Sequence, residues 1–286
     1  MRNQPLAVFD SGLGGLTVVR ALRELLQGED LVYFGDTARV PYGNKTPETV
    51  LGFSREICGF LLRMNPNCIV AACNTVSATC LGRLCEEVPV PVVGVVMPGA
   101  RAAVARCGAG SLIGVIATEA TVASDAYRSA IQSVDGGRAV VQTACPLFVP
   151  MAEEGLGADD PIVGLVIDRY LRPLKRLNPA AVLMGCTHYP VLAEGLAGFF
   201  GDEVVLVDSA RATAGAVREE LSGRGLLSGR SDGGSLHCYV SDNPRRFQAV
   251  GWRFLGSPVP DVVRVGPEAT PTVGGGGGLP GTRASA

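Results

Sequence analysis

Two cysteines in this chain follow apolar runs and precede small polar residues. Cys73 comes directly after the run 69–72, and Cys186 comes shortly after the run 181–184. A thiol in such a place lies close to the N–H groups that open the next helix, and their dipoles stabilise a thiolate. His188, one of only two histidines, stands two positions after Cys186. The pattern predicts two reactive thiols.

Three kinds of chemistry are open to such a pair. A metal site is disfavoured because Cys186 and His188 are two positions apart and His237 is the only other histidine. Redox exchange would need Cys73 and Cys186 in contact, which leaves no room for a ligand. Acid–base work is the favoured interpretation. The remaining seven cysteines lie in helix or strand patterns, where a small buried thiol is ordinary: Cys58, Cys68, Cys80, Cys85, Cys107, Cys145 and Cys238.

Further polar residues stand near the same strand ends. Asp10 follows an apolar run and precedes the glycine-rich turn 11–15, whose backbone N–H groups could hold a carboxylate or phosphate. The turn alone is a weak signal, because its spacing is neither a Walker loop nor a dinucleotide fingerprint. Four residues can be interpreted in two ways, either as structural residues that form turns, caps or hydrogen bonds, or as residues that take part in binding or catalysis. They are Asn74, Thr75, Thr187 and His188.

The elements that must position these residues alternate between strand and helix. Short apolar runs separated by stretches of helical length predict an α/β fold with mainly parallel sheets flanked by helices. In such sheets ligands bind beyond the carboxyl ends of the strands. The strands are predicted over 6–9, 31–34, 68–72, 92–93, 113–117, 139–141, 181–184 and 204–207.

Three helices carry clear boundary signals. Apolar residues at helical spacing predict a helix over 46–62, with Thr46 as its N-cap before a proline. A second amphipathic helix is predicted over 161–177, and Pro173 should kink or end it. A third is predicted over 243–256, between an Asn-Pro start and a glycine stop.

The strand ends also repeat. Asp10 and then Cys73 follow strands in the first part of the chain, and Thr118 and then Cys186 follow strands in the same order later. We therefore predict two similar α/β domains whose facing edges form a cleft. The predicted boundaries are 1–97 plus 209–256 for the first domain, 98–208 for the second, and 266–286 for a disordered tail rich in Gly, Pro, Ser and Thr.

Composition excludes several classes of protein. The 286 residues are 47% apolar with a net charge of −2 and no basic stripe, so a nucleic-acid partner is not expected. No apolar run approaches the roughly 18–20 residues that span a bilayer, and no signal segment begins the chain, so we expect no membrane association and a cytoplasmic location. Nine cysteines without a CxxC pair indicate reduced thiols. The sequence leaves a homodimer possible.

Six segments resemble one known family. They are "FDSGLGGLTV", "YFGDTARVPYG", "AACNTVSA", "PVVGVV", "CPLFVPMAEEG" and "MGCTHYPVL". In this order and at these intervals they resemble glutamate racemase, within the cofactor-independent aspartate/glutamate racemase superfamily. The resemblance runs from about Leu6 to Leu255, and it departs at Ala117, where a glycine is common. The joint match is specific, although no single segment would be.

The resemblance implies a function and a site. It implies two α/β domains related by a pseudo-two-fold axis, with an active site in the cleft between them. It also implies interconversion of L- and D-glutamate, which in bacteria is a source of D-glutamate for the peptide of peptidoglycan. Cys73 and Cys186 match two cysteines that alternate as base and acid, Asp10 and His188 match the residues that assist them, and Glu153 aligns with a carboxylate near the second thiol. The implied substrate contacts are Asp10, Ser11, Tyr42, Gly43, Asn74, Thr75, Thr118, Thr121, Thr187 and His188.

Chemistry explains why such an enzyme would need two thiols. Racemisation takes a proton from one face of Cα and delivers another to the opposite face, so two bases are the direct solution. No pyridoxal phosphate is expected, because Lys45 and Lys175 are the only lysines and neither has a Schiff-base context. Two rivals remain: an aspartate or hydantoin racemase with the same chemistry, and a non-catalytic binding protein on this scaffold.

Overall fold

The computed structural model describes residues 4–266, so most of the tail predicted at 266–286 lies outside the described residues. All eight predicted runs form strands. No helix in the described range is long and apolar enough to cross a bilayer. The strands are β1 (Leu6–Asp10), β2 (Leu31–Gly35), β3 (Cys68–Ala71), β4 (Val92–Gly94), β5 (Ile113–Ala117), β6 (Val140–Ala144), β7 (Ala181–Gly185), β8 (Val205–Asp208), β9 (Leu236–Val240) and β10 (Val262–Arg264).

Twelve α-helices within residues 4–266 accompany these strands, and most of them connect one parallel strand to the next. They are α1 (Leu16–Leu25), α2 (Pro47–Leu62), α3 (Asn74–Thr79), α4 (Leu81–Glu87), α5 (Val96–Ala105), α6 (Glu119–Ala123), α7 (Ala126–Val134), α8 (Phe148–Glu154), α9 (Pro161–Arg176), α10 (Ala193–Phe200), α11 (Ser209–Gly223) and α12 (Pro244–Leu255).

The strands form two parallel sheets with a shared topology. One sheet has the order β10-β9-β2-β1-β3-β4 and the other β6-β5-β7-β8. Four strands of the first sheet therefore match the whole second sheet, with β1 equivalent to β5 and β3 to β7. We call the six-stranded sheet with its helices the first unit and the four-stranded sheet with its helices the second unit. The predicted α/β fold with two similar parallel sheets is confirmed.

Both faces of the sheets are covered, which explains the nearly continuous apolar runs in the sequence. In β1, Leu6 and Val8 belong to one buried cluster, whereas Ala7 and Phe9 belong to another on the opposite face. Successive side chains of a strand point to opposite faces, so a strand between two helix layers must be apolar at every position. Burial of this kind fixes which residues end each strand.

The predicted helix boundaries at 46 and 243–256 are confirmed. The Thr46 hydroxyl accepts a hydrogen bond from the Thr49 N–H at 3.4 Å, at the start of α2. The Asn243 side chain accepts one from the Arg246 N–H at 3.1 Å, at the start of α12. Gly256 ends α12 with φ of +75°, a conformation that glycine adopts without steric cost.

Two features differ from the sequence analysis. Pro173 was predicted to kink or end its helix, and it does not end it, because α9 runs through it to Arg176. The proline lacks the N–H that would bond to the carbonyl one turn earlier, and the buried Leu171 and Leu174 on either side keep that turn packed despite the lost hydrogen bond. Strands β9 and β10 were not predicted, and β10 lies beyond residue 256. β10 is an edge strand of the first sheet and β9 is its neighbour, and burial there is incomplete, so the apolar signal is weaker.

Candidate active site

The candidate residues lie at equivalent strand ends in the two units. Asp10 ends β1 and Cys73 directly precedes α3 in the first unit, whereas Thr118 follows β5 and Cys186 follows β7 in the second. All four are buried, with Asp10 0% and Cys73 4% exposed. The repeat seen in the sequence thus corresponds to the same position in two sheets of the same topology.

The two strand ends meet across the units. The Thr187 hydroxyl of the second unit donates a hydrogen bond to Asp10 Oδ1 of the first at 3.3 Å. A Cβ atom at Gly14 would lie 2.2 Å from Thr187 Oγ1 and 2.5 Å from His188 Nδ1. Only a glycine leaves room for this approach, so the glycine-rich turn packs directly against the segment that carries Cys186.

The first thiol lies among acidic and neutral groups. Cys73 Sγ donates to Ser11 Oγ at 3.8 Å, and Asp10 Oδ2 accepts from the Gly12 N–H at 3.0 Å. Burial raises the pKa of the Cys73 thiol far above its ordinary value, and the neighbouring Asp10 and Cys186 raise it further. Burial also raises the pKa of Asp10, although the charge of His188 offsets part of that rise. Cys73 therefore holds its proton at neutral pH.

The second thiol has a cation beside it. His188 Nδ1 lies 3.9 Å from Cys186 Sγ, and His188 Nε2 lies 3.1 Å from Glu153 Oε1. Burial lowers the pKa of His188, but the contacts with Cys186 and Glu153 outweigh it and raise that pKa to about 10. The ring of Phe254 packs against the imidazole at a centroid distance of 5.3 Å. Cys73 thus lies near an acidic group, Asp10, whereas Cys186 lies beside a cation, His188.

Three threonine hydroxyls form a triangle between the units. Thr118 Oγ1 lies 3.0 Å from both Thr75 Oγ1 and Thr121 Oγ1, and the other two are 3.4 Å apart. A Cβ atom at Gly43 would lie 2.5 Å from Thr118 Cβ, so the loop that carries Gly43 packs on this triangle. Hydroxyl groups donate and accept, which suits them to a carboxylate ligand.

Apart from His188, the site offers hydrogen-bond donors rather than cationic side chains. Among the described residues, Arg138 is the only buried Arg or Lys, and it donates to the carbonyls of Gly108 and Ser111, away from the thiols. No group of three or more His, Cys, Asp or Glu side chains within residues 4–266 is placed to hold a metal ion. A cavity of about 370 Å³ borders the site, and its lining includes Gly43, Thr118 and Glu153.

Comparisons with known proteins identify the family. The family model for Asp/Glu/Hydantoin racemase matches residues 13–217. The glutamate racemase of Geobacter metallireducens is 47% identical over 92% of this chain and 97% of its own length. This chain belongs to the glutamate racemase family. A second relative in the family, a glutamate racemase of Thermus thermophilus, is 48% identical over 91% of this chain and 96% of its own length.

Solved structures of this racemase family have the same fold. The glutamate racemase of Francisella tularensis, crystallised with D-glutamate, has a TM-score of 0.86 at 35% identity, covering 94% of this chain and all of that one. A glutamate racemase of Bacillus anthracis has a TM-score of 0.88 at 32% identity, covering 93% of this chain and 98% of that one. The resemblance inferred from six short segments is confirmed.

One predicted contact residue of the racemase site has its side chain engaged elsewhere. The Tyr42 hydroxyl donates to Asp36 Oδ2, which also accepts from Arg39 Nε at 2.7 Å. The Ser241 hydroxyl donates to Asp36 Oδ1 at 2.7 Å. The phenol is therefore held in a network with Asp36.

Sequence reasoning missed two tyrosines of this racemase. The Tyr127 hydroxyl donates to Asn74 Oδ1, and the Tyr33 hydroxyl donates to the Gly12 carbonyl at 2.8 Å. Both side chains are fully buried. Their sequence context is that of ordinary apolar positions in a helix and a strand, so no local signal marks them. The contacts arise only when distant segments are brought together.

Proposed function

We propose that this chain interconverts L- and D-glutamate without a cofactor, with Cys73 and Cys186 as the two acid–base groups. The observation that supports this most directly is the placement of one thiol at the same strand end of each unit, with the His188 cation beside Cys186. The family membership supports the substrate. That the substrate is glutamate and not aspartate is part of this proposal.

The reaction needs one thiolate and one thiol. The thiolate takes the Cα proton, and the electrons of the broken C–H bond stay on the substrate as a carbanion. The opposite thiol then gives its proton to the other face of Cα and becomes the new thiolate. Charge and atoms balance, because one sulfur gains the proton that the other loses, and the reverse reaction exchanges their roles.

We assign the negative charge before substrate turnover to Cys186. A buried anion needs a partner, and the His188 imidazolium lies 3.9 Å from Cys186 Sγ. Glu153, 3.1 Å from the other ring nitrogen, keeps His188 protonated. Within the described part of the chain no such cation adjoins Cys73, which lies near Asp10 and so starts as the thiol. Cys186 is then the first base for one enantiomer and Cys73 the first acid.

The carbanion is the difficult intermediate, and the site stabilises charge with fixed dipoles. The hydroxyls of Thr75, Thr118 and Thr121 and the amide of Asn74 are buried, so they would bind the substrate carboxylates without competing water, equally in the ground state and in the transition state. Asp10 would accept a hydrogen bond from the substrate ammonium, which stays positive and close to Cα. Exclusion of water strengthens each of these interactions.

The proposed product suggests a cellular role. D-glutamate made by this reaction would supply the peptide part of peptidoglycan, as the family resemblance implies. We also propose a cytoplasmic location, as expected from the sequence. Depletion of this protein in a strain that needs it for growth, with and without added D-glutamate, would check the role. Failure of D-glutamate to restore growth would exclude it as the essential product.

Serine substitution tests the acid–base pair. Cys73→Ser and Cys186→Ser should each abolish racemisation, because a hydroxyl is a far weaker acid than a thiol. Purified protein is incubated with L-glutamate in D₂O while Cα deuteration and optical rotation are followed. Cys80→Ser is the matched control, since Cys80 is buried and donates to the Val76 carbonyl, a bond that serine can also make.

The outcomes separate the alternatives. Near-wild-type turnover in either serine variant removes that thiol from its proposed role. Exchange with aspartate but not with glutamate would keep the chemistry and change the substrate. Absence of exchange with both by the wild-type protein would favour the binding-protein alternative. Elimination from a substrate with a β leaving group needs only one base, so it would assign each thiol to one enantiomer.

A further inference from the structure

The Asn74 amide is only half satisfied by the described residues. Its side chain is buried, with 2% exposure, and its Oδ1 accepts a hydrogen bond from the Tyr127 hydroxyl. Its Nδ2 is buried without a hydrogen-bond partner within residues 4–266. Buried donors of this kind are rare, because an unmade hydrogen bond is costly. This NH₂ group, next to Cys73, is therefore available to a ligand.

Tyr127 comes to this amide from the other unit. It lies on α7 and packs in the core of the second sheet, whereas Asn74 begins α3 of the first unit. The hydrogen bond from the Tyr127 hydroxyl to Asn74 Oδ1 therefore joins the two units.

The ring of Tyr127 is also held in place. A Cβ atom at Gly185 would lie 2.8 Å from Tyr127 Cε2, and one at Gly99 would lie 3.5 Å from Cε1. Gly185 immediately precedes Cys186, so the absence of a side chain there admits the ring beside the second thiol. The ring therefore lies between the backbone that carries Cys186 and the amide that follows Cys73.

We propose that Tyr127 is a positioning residue that fixes the Asn74 amide with its NH₂ group facing the substrate. An amide without this bond could present either its oxygen or its nitrogen, and an oxygen would repel a carboxylate. By holding Oδ1, the phenol commits Nδ2 to donate to a carboxylate of the substrate. This inference rests on the proposed racemisation of glutamate, for which Asn74 is a predicted contact.

Kinetics of three variants test the proposal. Tyr127→Phe keeps the ring and removes the hydroxyl, so the KM for glutamate should rise about tenfold while kcat stays within about twofold, as expected for lost binding that is equal in ground and transition states. Asn74→Ala should raise KM by at least as much. The double variant should match Asn74→Ala, because Tyr127 acts only through the amide.

A second buried tyrosine provides the control. Tyr189→Phe removes a phenol hydroxyl that donates to the Cys145 carbonyl at 2.9 Å, so it should reduce thermal stability without changing KM. The proposal is overturned if Tyr127→Phe leaves KM unchanged, or if its effect is as large in the Asn74→Ala background as in the wild type. Failure of the proposed function would be visible separately, as a wild-type protein that does not racemise glutamate.

Discussion

Replacement of Glu153 by glutamine should change the charge of the second thiol's partner. Glu153 Oε1 lies 3.1 Å from His188 Nε2, and the carboxylate side chain is 18% exposed while the histidine is 3% exposed. Glutamine has nearly the same shape and retains an oxygen acceptor but carries no charge. The substitution therefore removes the electrostatic part of the contact with little change in packing. We expect a lower pKa for His188.

The size of the effect follows from the distance and the burial. A hydrogen bond to a charged group contributes about 1.5–3 kcal/mol, and two unit charges about 4 Å apart near a protein surface interact by about 4 kcal/mol. At about 1.4 kcal/mol per pKa unit, the loss of the Glu153 charge should lower the pKa of His188 by about one to three. The pKa of His188 would fall from about 10 in the wild type to between roughly 7 and 9.

Nuclear magnetic resonance of the imidazole nitrogens measures this directly. The chain has only two histidines, and the exposed His237 provides a second resonance that should not respond to the substitution. The alkaline limb of the kcat/KM profile should move to lower pH together with the His188 titration. Glu154→Gln is the control, since Glu154 is exposed and pairs with Arg246 instead.

Stability gives an independent readout with a definite sign. The pKa of His188 is raised in the folded protein from an ordinary 6.5 to about 10, so the imidazolium stabilises the fold fully below pH 6.5. That contribution is lost as the pH rises from 6.5 through 10. Since Glu153→Gln lowers the pKa of His188 in the folded protein, the variant should lose the imidazolium's contribution to stability over a narrower pH range that ends at a lower pH. The free energy of unfolding measured against pH checks this.

Two results would refute the reasoning about the second thiol. If the His188 resonance titrated at the same pH in Glu153→Gln as in the wild type, Glu153 would not be what keeps the imidazole protonated. If the titration moved but the kcat/KM profile did not, the charge of His188 would have no part in catalysis. The assignment of the initial thiolate to Cys186 would then have no electrostatic basis.

Two further substitutions test packing and capping. Gly14→Ala places a Cβ 2.2 Å from Thr187 Oγ1 and should lower kcat/KM at least about 100-fold, because it displaces the Cys186 segment. Gly52→Ala is the control: a Cβ there has nothing within 4 Å, so kcat/KM should not change. Equal activity of the two variants in the racemase assay would contradict this. Thr46→Ala removes the N-cap of α2 and should cost about 1 kcal/mol in chemical denaturation with unchanged activity; an unchanged unfolding midpoint would contradict the cap assignment.

Much of the scaffold could be predicted because its signals are local. Buried parallel strands must be apolar on both faces, so all eight runs were visible in the sequence. The caps at Thr46 and Asn243 are likewise properties of a few neighbouring residues. The strands β9 and β10 escaped prediction because strands at the side of a sheet are only partly buried.

The sequence by itself determined the fold class, the family, and the two thiols and their neighbours as candidates. Only the tertiary structure decided which groups meet: Thr187 with Asp10, Glu153 with His188, and Tyr127 with Asn74. Each of these contacts joins segments far apart in the chain, and a pattern of neighbouring residues carries no information about such contacts. The charge states of buried groups depend on these same contacts, so the opposite surroundings of Cys73 and Cys186 emerge only from the folded molecule.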